Sequence, residues 1–120
     1  MNALFVALGG AAGAVGRYGL SLLPFQGDFP LLTLVTNLLG AVLIGFVAGL
    51  TGREKLSAGW TLFWKTGVCG GFTTFSTFSL ESVTLLQRGR TALALAYMLL
   101  SAALCLAGVL AGQWLSRRGA

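Results

Sequence analysis

Residues 67–81 read GVCGGFTTFSTFSLE, a polar run set inside a long apolar stretch. Gly67, Gly70 and Gly71 are poor helix formers. Thr73, Thr74, Ser76, Thr77 and Ser79 carry hydroxyls that compete with helical hydrogen bonds for the backbone. Together they predict a helix broken near its middle. Inside a membrane, freed backbone groups persist only where they face protein, water or an ion. Broken helices hold cations with carbonyls and anions with helix N-termini. Phe75 and Phe78, three apart, share a face of this tract. Aromatics at that spacing are ordinarily core, yet the positive edge of a ring also suits an anion path. Glu81 follows, as a helix-end charge or as a pore-associated acid.

Polar groups recur elsewhere among apolar neighbours. Thr33 and Asn37 are four apart on one helical face, with Thr36 beside them and Gly40 roughly one turn on. Asn37 reads either as an interhelical hydrogen bond or as an amide donating to a passing anion. Arg17, in GGAAGAVGRYG, reads as an interfacial cation that snorkels or as the charge of an anion-attracting vestibule. Tyr97 and Ser101, also four apart, place two hydroxyls on a stripe that bridges helices or lines a pore.

Other chemistry lacks its residues. Histidine is absent and Asp plus Glu total 3, so most metal sites and carboxylate-pair hydrolysis have no ligands or acids to run on. No nucleophile has a plausible base beside it. Cys69 and Cys105 both fall in apolar stretches and read as small packing groups.

These residues need a membrane-spanning frame. The chain has 120 residues, 56% of them hydrophobic and only 9% charged, with mean hydropathy +0.85. A domain of this size cannot bury that much apolar surface within itself, so we read an all-α integral membrane protein. Four apolar stretches of spanning length fall at roughly residues 3–23, 31–50, 60–86 and 91–115, as a single four-helix transmembrane domain with a broken third helix. Residues 24–30 (PFQGDFP) read as a turn, TGREKLSAG as a polar loop, and QRGR closes the third stretch. The first stretch has no basic residue before Arg17, so we read it as a retained helix and not as a cleaved signal.

Gly9 and Gly13, Gly45 and Gly49, and Gly108 and Gly112 are each spaced for close helix approach. Their number implies a tightly packed bundle and a partner subunit. The net charge of +5 sits on loop positions, which argues for a lipid bilayer and against nucleic acid. With four crossings, Arg53, Lys55, Arg117 and Arg118 share one side, joined by Lys65 if it snorkels there, and Arg88 and Arg90 take the other. That bias favours an inward N-terminus only weakly. A chain so evenly charged is able to insert both ways, which allows an antiparallel homodimer.

GGxxGAxxR at Gly9 to Arg17, TLxxN at Thr33 to Asn37 and GGFTTFSTFSxE at Gly70 to Glu81 resemble the Fluc (CrcB) family of fluoride channels, in order along the whole chain. The third motif is the most specific. The resemblance implies a bacterial or other microbial inner-membrane channel that exports toxic fluoride passively. It implies an antiparallel, dual-topology homodimer with two pores. On that pattern Phe75 and Phe78 look like the paired pore rings, Asn37 the pore amide and Arg17 the vestibule cation. Tyr97, Ser101 and Thr33 look like polar-track residues by spacing. The hydroxyls of Ser76 and Thr77 join the fluoride-facing donors, with Glu81 as a pore-associated acid. The carbonyls of Gly70 and Thr73, from both subunits, look like a central structural Na⁺ site. The missing ligands imply no other cofactor.

Two competitors stay open. A small proton-coupled multidrug exporter needs a titratable acid deep in its first helix, where this chain has none. An accessory membrane subunit would use the same polar residues as interhelical glue.

Overall fold

The computed structural model describes every residue except Gln26, Asp28 and Ala120, and all elements in that set are helical. Two residues of the expected 24–30 turn, Gln26 and Asp28, thus lie outside the described residues. Helix α1 runs Asn2–Ser21 and α2 runs Leu31–Gly52. The third expected span is divided into α3 (Ala58–Thr61), a π-helical stretch (Leu62–Cys69), α4 (Gly70–Phe72) and α5 (Phe75–Gln87). Helix α6 runs Thr91–Gly119. The expected limits shift by a few residues: α1 stops before residue 23, and α6 continues past 115.

Three helices, Asn2–Ser21, Leu31–Gly52 and Thr91–Arg118, are long and apolar enough to cross a membrane. The chain is a membrane protein by that measure. The pieces between Ala58 and Gln87 are each too short, because the break that the Gly/Thr tract predicts falls at Thr73 and Thr74. Thr73 (φ −83°, ψ 157°) and Thr74 (φ −148°, ψ 118°) are both extended.

Local chemistry sets the ends. Pro30 stands at the N-cap of α2, where a missing N–H costs nothing. Ser57 caps α3 by accepting from the Trp60 N–H. Gly89 takes φ +76° after α5, the Gly89 N–H bonds Leu86 O at 3.1 Å and the Arg90 N–H bonds Leu85 O at 2.9 Å. That is a Schellman close, and it explains the glycine of QRGR. The same close ends α2, but there Glu54 takes the left-handed position, with φ 56°.

Two helix pairs make up the body. Helix α1 packs along the π stretch and α4, while α2 packs along α6. The glycine pairs are consumed in these contacts. A Cβ on Gly67 would stand 2.7 Å from Gly9 Cα, and one on Gly112 would stand 2.7 Å from Phe46 N. Gly45 faces the Val109 carbonyl and Gly13 the Val68 carbonyl. Glycine spacing therefore reports contacts within the chain at all three pairs, where the sequence also suggested a partner.

The core is small. Tyr97, Ala94, Leu85 and Leu34 form its buried centre, with Phe29 and Phe78 packed against it. Leu99, Leu106 and Leu110 on α6 stay about two-thirds exposed, as lipid- or partner-facing residues do.

Candidate functional site at the helix break

The break frees backbone groups, and particular side chains take them up. Asn37, from the second turn of α2, reaches Thr74 with both ends of its amide. Its Nδ2 donates to Thr74 O at 3.2 Å, and the Thr74 N–H donates to its Oδ1 at 2.9 Å. Arg17 Nε donates to Gly71 O at 3.1 Å and so secures the last turn before the break. Thr74 Oγ1 caps α5 by accepting the Thr77 N–H at 3.1 Å. Thr73 Oγ1 donates back to Cys69 O at 2.8 Å.

This rerouting has a second effect. In a continuous helix the Thr74 N–H would bond Gly70 O, and the Thr77 N–H would bond Thr73 O. Both donors are turned elsewhere. The carbonyls of Gly70 and Thr73 therefore lose their helical partners, and both residues line one open groove. Hard oxygen donors of this kind fit a small cation such as Na⁺. Among the described residues no cluster of three His, Cys, Asp or Glu offers another metal site.

The groove holds about 580 Å³ between α2, the helical pieces of residues 58–87 and α6. Asn37, Phe75, Phe78 and Ser101 line it together with the two carbonyl residues. Phe75 is 79% exposed, an unusual place for a phenyl ring that nothing covers. It begins a chain of rings running inward. Phe75 and Phe78 have centroids 5.5 Å apart, and Phe78 and Tyr97 5.2 Å apart. Tyr97 is fully buried and ends on an acid: its hydroxyl donates to Glu81 Oε1 at 3.0 Å. Ser101 Oγ is buried in the groove wall without a hydrogen-bond partner. A buried hydroxyl left unpaired is costly, so such a group points to a missing donor or acceptor.

A second cavity of about 90 Å³ gathers Arg17, Ser21, Thr33, Thr36, Thr74 and Thr77, one guanidinium among five hydroxyl side chains. A third, of about 350 Å³, holds Thr33, Glu81, Thr84 and Arg88. Thr33 lies on both. Ser76 stands apart, exposed, with its Oγ 3.3 Å from Thr74 Oγ1. Cys69 and Cys105 are free thiols, Cys69 buried, and both border the groove.

The predicted residues thus fall into connected places and not into one ring. Asn37, Phe75, Phe78, Ser101, Gly70 and Thr73 meet in the groove. Arg17, Thr33 and Thr77 share the small cavity, and Glu81 with Tyr97 forms the link behind the rings. Sequence reasoning missed Lys65 and Thr66 in the groove, and Arg88 beside Glu81. Lys65 escaped because α-helical periodicity gives no warning of a π stretch.

Residues 4–113 match the family described as CrcB-like protein, Camphor Resistance (CrcB). The chain is 46% identical to the fluoride-specific ion channel FluC of Rhodospirillum rubrum, covering 100% of this chain and 95% of the relative. It is 49% identical to the fluoride-specific ion channel FluC 2 of Symbiobacterium thermophilum, over 94% and 95% of the two chains. It is 42% identical to the FluC protein of Ruminiclostridium cellulolyticum, over 98% and 93%. With the motifs, the broken helix and the match all in register along the chain, it belongs to the CrcB family.

Proposed function

We propose that this chain is a passive, selective fluoride channel of the cell membrane that lowers fluoride toxicity by letting the ion leave the cytoplasm. The observation that carries the reading is the groove at the break: the exposed Phe75 ring, the partly buried Phe78 ring, an amide and an unpaired buried hydroxyl converge there. The names of the relatives supply the ion.

Fluoride is small and holds its water tightly, so a path must replace that water with donors. Ring edges of Phe75 and Phe78 offer positive partial charge without a binding site too deep to leave. The second amide hydrogen of Asn37, the Ser101 hydroxyl, and Thr33 and Thr77 extend the donors to either side. Ser76 adds a hydroxyl at the first turn of α5, where N–H groups also point out of the helix. Arg17 draws anions toward the small cavity, and the Tyr97–Glu81 pair fixes the inner wall.

The working unit in this reading is an antiparallel homodimer of four-span subunits, with residues 58–87 crossing as the third, divided span. Phe75 and the groove need a cover, and a second copy brings an equivalent groove. The weak charge bias between the two ends permits both insertions. The carbonyls of Gly70 and Thr73 from two copies would hold a structural Na⁺. That ion would supply positive charge at the centre of the dimer and favour anions nearby.

Expression in a bacterium that lacks its own fluoride exit tests the reading. Growth in millimolar fluoride should be restored by the chain and not by a Phe75→Ile, Phe78→Ile double variant of equal membrane abundance. Failure of the unaltered chain to restore growth, when present in the membrane, would count against it.

A further inference from the structure

Among the described residues, Lys65 is the one basic side chain on the groove, and no acidic residue lines the groove with it. Its position follows from the π stretch Leu62–Cys69. In an α-helix, residues 65 and 70 would stand about 140° apart at about 100° per residue. With i→i+5 bonding the turn per residue falls to about 80°, and the same two residues come within about 40°. The wider winding thus carries Lys65, Cys69 and Gly70 onto one face, that of the freed carbonyls. A π stretch inside a helix is an unusual element that often marks a functional site. The same groove holds the unpaired Ser101 hydroxyl and the exposed Phe75 ring.

We infer that Lys65 is a second anion-concentrating cation of the pathway, serving the groove as Arg17 serves the small cavity. The inference rests on the fluoride reading above. The two cations differ in how they are held. Arg17 is tied to a backbone carbonyl and helps hold the break together. Lys65 is exposed on the groove wall. A cation on a concave, low-dielectric surface focuses potential and raises the local anion concentration. Its effect belongs to charge, so arginine should replace it and salt should screen it.

The test is initial fluoride efflux from liposomes holding the full-length dimer, at low fluoride, with ionic strength set by impermeant ions. At about 0.02 M ionic strength, K65R should match the unaltered protein, K65Q should run about threefold slower and K65E about tenfold slower. At about 1 M, where the screening length falls to about 3 Å, all four should agree within about twofold. Equal rates for all four at low ionic strength, with the unaltered protein conducting, would overturn the role of Lys65 and leave the fluoride reading intact. A loss in K65R as large as in K65Q would also overturn it, since a packing role would then explain both. Silence of the unaltered dimer would overturn the fluoride reading and this inference with it.

Discussion

Asn37 and Thr74 exchange a pair of hydrogen bonds across the helix break, amide to backbone, at 3.2 and 2.9 Å. The pairing resembles one rung of a sheet, made by a side chain in place of a second strand. It lets the broken segment change direction in an apolar surrounding with both peptide groups of Thr74 satisfied. The same residue therefore holds the break open and, in the proposed function, offers its remaining amide hydrogen to the ion.

Asn37→Leu should leave both Thr74 backbone groups unpaired. Each buried group without a partner costs about 1–3 kcal/mol, enough to lower the melting temperature of the detergent-solubilised protein by many degrees. Asn37→Asp keeps an acceptor for the Thr74 N–H but sets an oxygen against Thr74 O. It should be less destabilising than leucine and should still abolish fluoride flux, because it adds negative charge to the path. Melting curves and efflux on the same preparations separate the two effects.

Phe75→Ile should leave the fold of each subunit almost unchanged, since the ring is 79% exposed on the single chain, yet reduce fluoride efflux at least tenfold. Phe78→Ile should cut efflux similarly while costing about 1–2 kcal/mol, because Phe78 packs against the buried Tyr97. Phe63→Ile is the control. Phe63 stacks edge-on with Trp60 and Trp64 and does not line the groove. Equal losses at Phe63 and Phe75 in single-vesicle efflux would remove the rings from the path.

The break was legible in the sequence because Gly70, Gly71 and the hydroxyl run weaken a helix by local means alone. So were the polar residues at Asn37 and Arg17, as groups out of place among apolar neighbours. Their partners were not legible. That Arg17 meets Gly71 O and Asn37 meets Thr74 depends on how α1 and α2 lean on the broken segment, which no local pattern encodes. Within residues 62–69 Gly67 weakens the helix but does not announce π winding, so the face bearing Lys65 could not be assigned. Gly9, Gly45 and Gly112 signalled close approach correctly but gave no sign of whether the neighbour was the same chain or another.

Gly45→Val and Gly112→Val should each cost about 3 kcal/mol or abolish folding, because the added carbons meet backbone of the facing helix, which has no room to yield. Gly10→Ala should do the opposite. Nothing lies within 4 Å of its added carbon, and alanine in a helix gains about 0.5–1 kcal/mol over glycine. Chemical unfolding in mixed micelles measures all three.

Glu54→Gly should stabilise the protein by about 1 kcal/mol. Glu54 closes α2 with φ 56°, a left-handed conformation that glycine adopts freely and glutamate does not. Glu54→Ala should gain nothing, because its Cβ meets the same obstacle. A rise in melting temperature for both variants would trace the effect to the lost charge instead.

The most direct measurement is ion release from liposomes that contain only this purified protein, followed with a fluoride electrode and then with a chloride electrode. The account predicts rapid fluoride release, little chloride release, and loss of the fluoride signal on Phe75→Ile in protein that stays folded and dimeric. Folded, dimeric protein that releases no fluoride, or releases chloride just as fast, would contradict it.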